Sequence, residues 1–372
     1  MTVGPTPVPR MRARRGPAVV LVAGLGLLPG CGGEPSPIEI SRLEATGDTV
    51  ITPYGEITDA AWLDDARWAV IAPQDRAVSL ADLREKRLAR FGGRQAAELE
   101  QPFHLFRAGD SIYVADWFRR RLTRWSIDGR YEGALPASDP LRGALPRARD
   151  AAGRWYYEIR PAPGRDGRGN LDSAVVVKAT GEPAVFDTIG RLAPLDLAEV
   201  LSNGQRRLER RLLSGQDRWG VFPDGALWVA RANGNRVDWR DPAGRVTKGV
   251  ALPDRVLPVT QSDRDIFLLR FESGLRGSVS QIPFAAIKPP FEAALGSPEE
   301  QVCLVRSRAV GDSLREYHVV DRRGRLVRQW NHSGLGRILA IGGGYALVGE
   351  PFADGVRLLL FRIPAPAGSG PS

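Results

Sequence analysis

Between Asp110 and Pro136 the chain reads DSIYVADWFRRRLTRWSIDGRYEGALP, and apolar and polar positions alternate through it in short bursts. Ile112 to Ala115 is an apolar run too short for a helix and built from strand formers. Leu122 to Ile127 sets Leu122, Arg124 and Ser126 against Thr123, Trp125 and Ile127, the period of two that marks a half-buried strand. Asp128-Gly129 then signals a tight turn, since glycine tolerates positive φ. Tyr131 to Leu135 completes a three-stranded module.

The module recurs. In Asp224 to Pro253, Trp228-Val229-Ala230 stands where Tyr113-Val114-Ala115 does, and Arg236 to Trp239 where Arg121 to Trp125 does. Gly244-Arg245 matches Gly129-Arg130, and GVALP at Gly249 echoes GALP at Gly133. Fainter copies begin at Trp68, Trp155, Ile266, Val302 and Tyr345, which makes seven modules. A D-x-x-G-R turn recurs at Asp150, Asp241 and Asp321. The starts lie mostly about 40 residues apart, the length of a four-stranded blade. A lone sheet of this kind leaves a face unburied, and radial stacking covers both faces. The pattern therefore predicts an all-β chain: a β-propeller of six or seven four-stranded blades over residues 38–363. Ile38 to Ile51 supplies an outer strand that closes the ring.

The spacing from Trp155 to Trp228 is nearly double. Within it Leu197, Val200, Leu201, Leu208 and Leu212 have helical spacing, with Arg206, Arg207, Arg210 and Arg211 on the other side. This predicts a short helical insertion near residues 195–213. Residues 364–372 are rich in Pro, Gly and Ser and read as a disordered tail.

The amino terminus has a different pattern. Arg12, Arg14 and Arg15 precede an apolar run from Ala18 to Leu28, and Met11 offers an alternative start. The run is about half the roughly 20 residues a membrane span needs, so residues 1–30 read as a signal peptide. Leu28-Pro29-Gly30-Cys31 resembles the lipobox of bacterial lipoproteins, with Pro29 an unusual middle residue. That resemblance implies cleavage before Cys31, diacylglycerol (and fatty acyl groups such as palmitate) on the new terminus, and residues 31–37 as a tether. Two or more acyl chains give stable anchoring.

Composition changes this picture little. The chain has 372 residues, 43% hydrophobic and 26% charged, with a formal net charge of +9. Removing the signal segment takes away four arginines and no acids, leaving +5. Lysine occurs only at positions 86, 178, 248 and 288, so the basic excess is an arginine bias of the whole chain. With Cys31 lipidated, Cys303 is the one remaining thiol, which excludes an internal disulfide. Cys303 sits in an apolar run and reads as a small buried hydrophobe.

The modules resemble the six-bladed β-propeller lipoproteins and, more loosely, NHL-type repeats. The residues that carry the resemblance are Phe91-Gly92-Gly93, Glu98-Leu99, Pro102, the run Asp110 to Asp116, Arg121-Leu122 and Asp128-Gly129. Ala96-Ala97 departs from the family's Pro-Gly. The resemblance implies the fold, while function has to be read from a site.

Blades share one strand order, so all loops between second and third strands emerge on one face. Loops on a rigid scaffold carry function. Asp116, Trp117, Arg231, Asn233 and Glu350 are the candidate binding residues on that face. The plainer readings are that Asp116 caps its own turn and that Trp117 is buried between blades. No Gly-x-Ser-x-Gly or metal-ligand spacing surrounds His104, His318 or His332. The arginine clusters at 119–124 and 206–211 read as solvated faces. The exported address disfavours nucleic acid.

The expectation is a membrane-anchored lipoprotein of the bacterial cell envelope. It is a monomeric propeller that acts as a binding or scaffolding module for a protein, peptide or glycan, with no cofactor or metal. The alternative is a propeller hydrolase or lyase of the lactonase kind, with calcium or another divalent cation held by carboxylates at the axial mouth.

Overall fold

A computed structural model describes residues 38, 40–91, 98–160, 173–202, 205–269, 271, 276, 277, 279 and 281–365. The signal segment, Cys31, the tether, the glycines at 92–93, most of the loop at 160–170 and residues 366–372 lie outside the described residues.

Alternating strands form six antiparallel four-stranded sheets, each a blade of a β-propeller. After β1 (Ile40–Arg42) and β2 (Glu44–Thr52), blade 1 contains β3 (Asp59–Asp64), β4 (Arg67–Ala72), β5 (Ala77–Asp82) and β6 (Arg87–Phe91). Blade 2 contains β7 (Pro102–Ala108), β8 (Ser111–Asp116), β9 (Arg121–Ser126) and β10 (Tyr131–Pro136). Blade 3 contains β11 (Pro146–Arg149), β12 (Trp155–Ile159), β13 (Val175–Thr180) and β14 (Val185–Arg191). A two-stranded hairpin, β15 (Leu197–Ser202) and β16 (Gln205–Arg210), precedes blade 4. Blade 4 contains β17 (Arg218–Val221), β18 (Leu227–Arg231), β19 (Arg236–Arg240) and β20 (Val246–Thr247). A short helix, α1 (Gln261–Leu268), precedes blade 5, which contains β21 (Phe291–Gly296), β22 (Val302–Arg306), β23 (Leu314–Val320) and β24 (Leu326–Ser333).

Blade 6 closes the ring. Its inner three strands are β25 (Arg337–Gly342), β26 (Tyr345–Phe352) and β27 (Gly355–Arg362), and its outer strand is β2 from the start of the chain. β1 adds in parallel to the outer edge of blade 5. The second and the last strands of the described residues thereby share one sheet, as the pattern at Ile38 to Ile51 predicts. The first strands of the blades pack in sequence, β3 on β7, β7 on β11, β11 on β17, β17 on β21, β21 on β25 and β25 on β3, so they surround the axis.

Apolar positions fill the gaps between neighbouring blades. Val50, Leu358, Trp68 and Val70 join blades 6 and 1, and Ile71, Leu105, Val114 and Trp125 join blades 1 and 2. Tyr156, Val176, Leu227 and Val229 join blades 3 and 4. Cys303 is buried among Val305, Tyr317 and Ile341 between blades 5 and 6, as a small hydrophobe. Burial removes bulk water from its thiol and pushes the pKa far above the ordinary value.

Two sequence expectations are corrected. Residues 197–210 form an antiparallel hairpin in register from Leu197↔Arg210 to Ser202↔Gln205, where a helix is expected near residues 195–213. Ile266, expected to open a seventh strand module, lies in α1, so the blade count is six. The helix begins at a capping box: Thr260 accepts from the Asp263 backbone and Asp263 accepts from the Thr260 backbone.

The three D-x-x-G-R turns share one geometry. In each, the aspartate accepts the backbone N–H of the arginine four residues on, at 2.9 Å, and that guanidinium turns back onto the same carboxylate. Gly153, Gly244 and Gly324 have φ of 81°, 91° and 72°, which favours glycine there.

Candidate functional site

The strand order gives the propeller two unlike faces. Turns between strands 1 and 2 and between strands 3 and 4 make the lower face, where the D-x-x-G-R turns lie. Loops between strands 2 and 3 and connections between blades make the upper face. The innermost strands begin at the upper face, and each contributes a polar residue at or near its start: Asp59, His104, Arg147, Arg218, Glu292 and Arg337. These six residues, one per blade, ring the upper mouth of the axis. In blades 3 and 5 the register shifts at Arg147 and Glu292, a local bulge that re-aims a side chain.

One side of the mouth is a continuous polar belt. His104 Nδ1 lies 2.7 Å from Asp59 Oδ2, and His104 Nε2 lies 3.0 Å from the Arg147 carbonyl oxygen. The Arg147 guanidinium donates to Glu158 at 2.6 Å, and the Trp219 indole N–H donates to the same oxygen at 2.8 Å. Arg147 also stands over the Trp219 ring, 5.7 Å from its centre. Glu158 is thus a nearly buried carboxylate held between blades 3 and 4.

The other side carries excess positive charge. Arg337 is 3.9 Å from Glu56, and Arg315 is 3.6 Å from Glu292. Arg218 is solvent-exposed, and no hydrogen bond or ion pair reaches its guanidinium among the described residues. Its pKa is lowered, first by protein crowded around the guanidinium, which thins its hydration while part of the side chain stays in solvent, then by the charges of Arg147 and Arg210, against the pull of Glu158 and with Arg337 adding to the lowering. The Arg315 pKa is likewise lowered by burial and by Arg308 and Arg337, against the pull of Glu292. The Nε and Nη1 atoms of Arg315 are buried and make no hydrogen bond. Arg147, Arg315 and Arg337 each face one carboxylate and Arg218 adds a further positive charge, an excess that favours an incoming anion.

No three His, Cys, Asp or Glu side chains converge to hold a metal ion among the described residues. The carboxylates at the mouth engage His104 or arginines.

The five residues expected from sequence all lie at the upper ends of their strands. Asp116 and Trp117 are in blade 2, Arg231 and Asn233 in blade 4 and Glu350 in blade 6. No hydrogen bond or ion pair joins any two of them among the described residues. Asp116 is fully buried and accepts backbone N–H groups of Glu100, Gln101 and Arg119, so it caps its turn and ties down the preceding connection. Arg231 bridges Asp217 at 2.8 Å and Asp238 at 2.9 Å. Glu350 is bound by Arg357 at 2.5 Å. Asn233 is exposed. Trp117 is 61% exposed, which corrects the reading that it is buried between blades. It meets Phe103 edge-on with ring centres 6.2 Å apart, and Phe118 beside it is 66% exposed.

The arginine clusters read as solvated faces are mostly paired. Arg119 meets Glu98 and Glu100, Arg124 meets Glu132, and Arg206, Arg207 and Arg211 each meet a carboxylate. A polar cavity of about 410 Å³ opens beside blade 5, lined by Arg306, Arg308, Glu316 and His318.

No family model matches the chain, and no curated protein matches it. Among solved structures, a DUF4221 family member from Bacteroides vulgatus is 10% identical, covering 86% of this chain and 97% of its own, with a TM-score of 0.49. The calcium-binding protein regucalcin from Agrobacterium tumefaciens is 9% identical over 87% of this chain and 97% of its own, with a TM-score of 0.43. A streptogramin B lyase is 11% identical over 87% of this chain and 90% of its own, with a TM-score of 0.42. With each TM-score below 0.5, these likenesses carry no functional argument.

Proposed function

We propose that this protein is a lipid-anchored β-propeller of the bacterial cell envelope that acts as a binding module, presenting its upper face to a protein partner. The observation that carries this reading is the inequality of the two faces. Phe103, Trp117, Phe118, Leu335 and Phe352 stand exposed at the upper ends of blades 2, 5 and 6. Among the described residues, no exposed large apolar side chain lies within a lower-face turn itself; Val185 and Val246 begin outer strands, and Val250 lies beside the turn at Gly324. Exposed aromatics on one face, beside a charged mouth, suit an interface. The anchor rests on the basic segment, the short apolar run and the Leu-Pro-Gly-Cys sequence ending at Cys31.

Two experiments test the two halves. Cys31→Ser moves the protein out of the membrane fraction, and retention there defeats the anchoring half. Capture from envelope extracts is expected to fall when Trp117→Ala and Phe118→Ala are combined, and to persist when Val185→Ala and Val246→Ala are combined. Equal capture by both variants removes the upper face as the interface.

A further inference from the structure

We propose that the upper mouth of the axis is an oxyanion site, in which Arg218, Arg147, Arg315 and Arg337 receive a carboxylate or phosphate group. The proposal deepens the binding reading by naming the chemistry its face would recognise, and it rests on that reading for the source of the group.

The placement comes first. Arg147, Arg218 and Arg337 stand at the starts of innermost strands in blades 3, 4 and 6, and Arg315 reaches in from β23 of blade 5, where its Nη2 donates to the Leu335 carbonyl at 3.2 Å. Four blades therefore aim guanidinium groups at one opening. The backbone of each strand fixes where its arginine stands, and the Arg147 and Arg315 side chains are held in addition by Glu158 and the Leu335 carbonyl.

Charge balance comes second. Arg147 and Trp219 share Glu158, Arg315 is opposite Glu292 and Arg337 is opposite Glu56. Arg218 has no carboxylate of its own. Arg210 and Arg308 add charge from behind; Arg210 is tied to Ser214 and Gln216, and Arg308 to the Asp312 carbonyl. Arginines of the D-x-x-G-R turns, of several blade junctions and of the hairpin meet carboxylates. Arg218 is the member of the four with no ion pair among the described residues, and it stands among the other three.

Unfilled hydrogen-bonding capacity comes third. Arg315 Nε and Nη1 are buried and unbonded, and the Arg315 side chain is 11% exposed. A carboxylate or phosphate takes two parallel N–H bonds from one guanidinium, and the exposed Arg218, which makes no hydrogen bond or ion pair among the described residues, offers that fork whole.

The test uses the mature full-length chain at constant ionic strength. Thermal melting and calorimetric titration are run with tetraglutamate peptide, with tripolyphosphate, and with sodium chloride matched for ionic strength. Binding by either oxyanion beyond the chloride control is expected. The peptide alone points to carboxylates of a partner protein, and the polyphosphate alone to a phosphate-bearing one. Arg218→Gln is expected to weaken that binding at least about tenfold, as loss of one charge-assisted contact does. It is also expected to hold or raise the melting temperature without ligand, since a repelled charge is removed. Val246→Ala serves as the control away from the mouth. No effect beyond chloride overturns the proposal. So does Arg218→Gln that lowers the melting temperature while leaving oxyanion binding intact. Either result leaves capture through Trp117 and Phe118 untouched, so the two readings fail separately.

Discussion

Asp59 and His104, 45 residues apart in sequence, meet across the junction of blades 1 and 2 with 2.7 Å between carboxylate oxygen and imidazole nitrogen. The same Asp59 oxygen accepts the Leu105 backbone N–H at 3.2 Å, and the far side of the ring meets the carbonyl of Arg147 in blade 3. Three blades are thus joined at the mouth by one side-chain pair. A double-mutant cycle with Asp59→Ala and His104→Ala is expected to give a coupling free energy of about 1 kcal/mol in denaturant unfolding, as for a half-buried charged hydrogen bond. Additive effects would show that the blades are held there by backbone packing alone.

Asp116 and Trp117 are neighbours with opposite expected roles. Asp116→Ala strips acceptors from three backbone N–H groups, two of them in the connection that leads into blade 2. An expected loss of about 2–3 kcal/mol follows, read from the shift in denaturation midpoint at constant slope. Trp117→Ala removes an exposed ring and is expected to change stability by less than about 0.5 kcal/mol. A large loss at Trp117 would mean that its ring is structural.

Much of the fold was legible because blades obey local rules. Tyr113-Val114-Ala115 and Trp228-Val229-Ala230 are second strands of blades 2 and 4, and their period and aromatic start identify them. The hairpin at residues 197–210 is masked in the sequence because Leu197, Val200, Leu201 and Leu208 happen to match a helical period. A competing signal stood in the same sequence: Asn203-Gly204 between two alternating runs marks a two-residue hairpin. Likewise Thr260 with Asp263 is a helix start that Ile266 to Leu269, taken as a strand, obscured. The mouth was not legible at all. Its residues come from six separated strand starts, and an arginine-rich chain does not advertise which arginine lacks a partner. Only the ring closure and the bulges at Arg147 and Glu292 bring them together.

Two buried histidines predict acid sensitivity. Burial pushes His318 down to about 4, with Arg306 adding to the effect, and pushes His332 down to about 4, with Arg315 adding to it. Around His332 stand Arg315, Arg308, Glu350 and Tyr317, whose hydroxyl lies 3.1 Å from Nδ1. In the unfolded chain both rings take up protons near pH 6.5. The unfolded state therefore binds more protons between pH 6.5 and 4, and stability is complete above that window and falls as pH drops through it. Each ring can account for on the order of 3 kcal/mol at most. The melting temperature of His318→Gln/His332→Gln is expected to vary less between pH 6.5 and 4 than that of the parent. An identical slope would assign the acid loss to other groups.

Cys303 gives a probe of cooperative unfolding. Its side chain is 1% exposed between blades 5 and 6, and burial holds its thiol protonated. The thiolate is the reactive form, so iodoacetamide labelling at neutral pH is expected to follow opening of the ring rather than local motion. Peptide mass spectrometry at residue 303 is expected to show labelling that rises with urea in step with the loss of tertiary signal. Rapid labelling without denaturant would reveal that blades 5 and 6 part on their own.

The strongest single-residue effect is expected at Arg306. Its side chain is 7% exposed at the end of β22, and burial lowers its pKa against the favourable charge of Asp254. One nitrogen donates to Asn235 in blade 4 at 2.8 Å, and another to Asp254 at 2.7 Å and to the Pro253 carbonyl. Asn235, itself buried at φ 41°, donates onward to the Leu252 and Pro253 carbonyls. Arg306 thus holds together a blade 4 loop, the long connection and blade 5, and a guanidinium that loses its partners there is left buried and charged. Asp254→Ala leaves that charge with neutral acceptors only, and a loss of about 3 kcal/mol is expected, as for a broken buried pair. Arg306→Met/Asp254→Ala removes the stranded charge and is expected to recover part of the loss, since an apolar replacement of a buried pair is often tolerated. If the double variant is as unstable as the sum of the two single variants, Arg306 acts through its neutral hydrogen bonds to Asn235 and Pro253 and the ion pair contributes nothing.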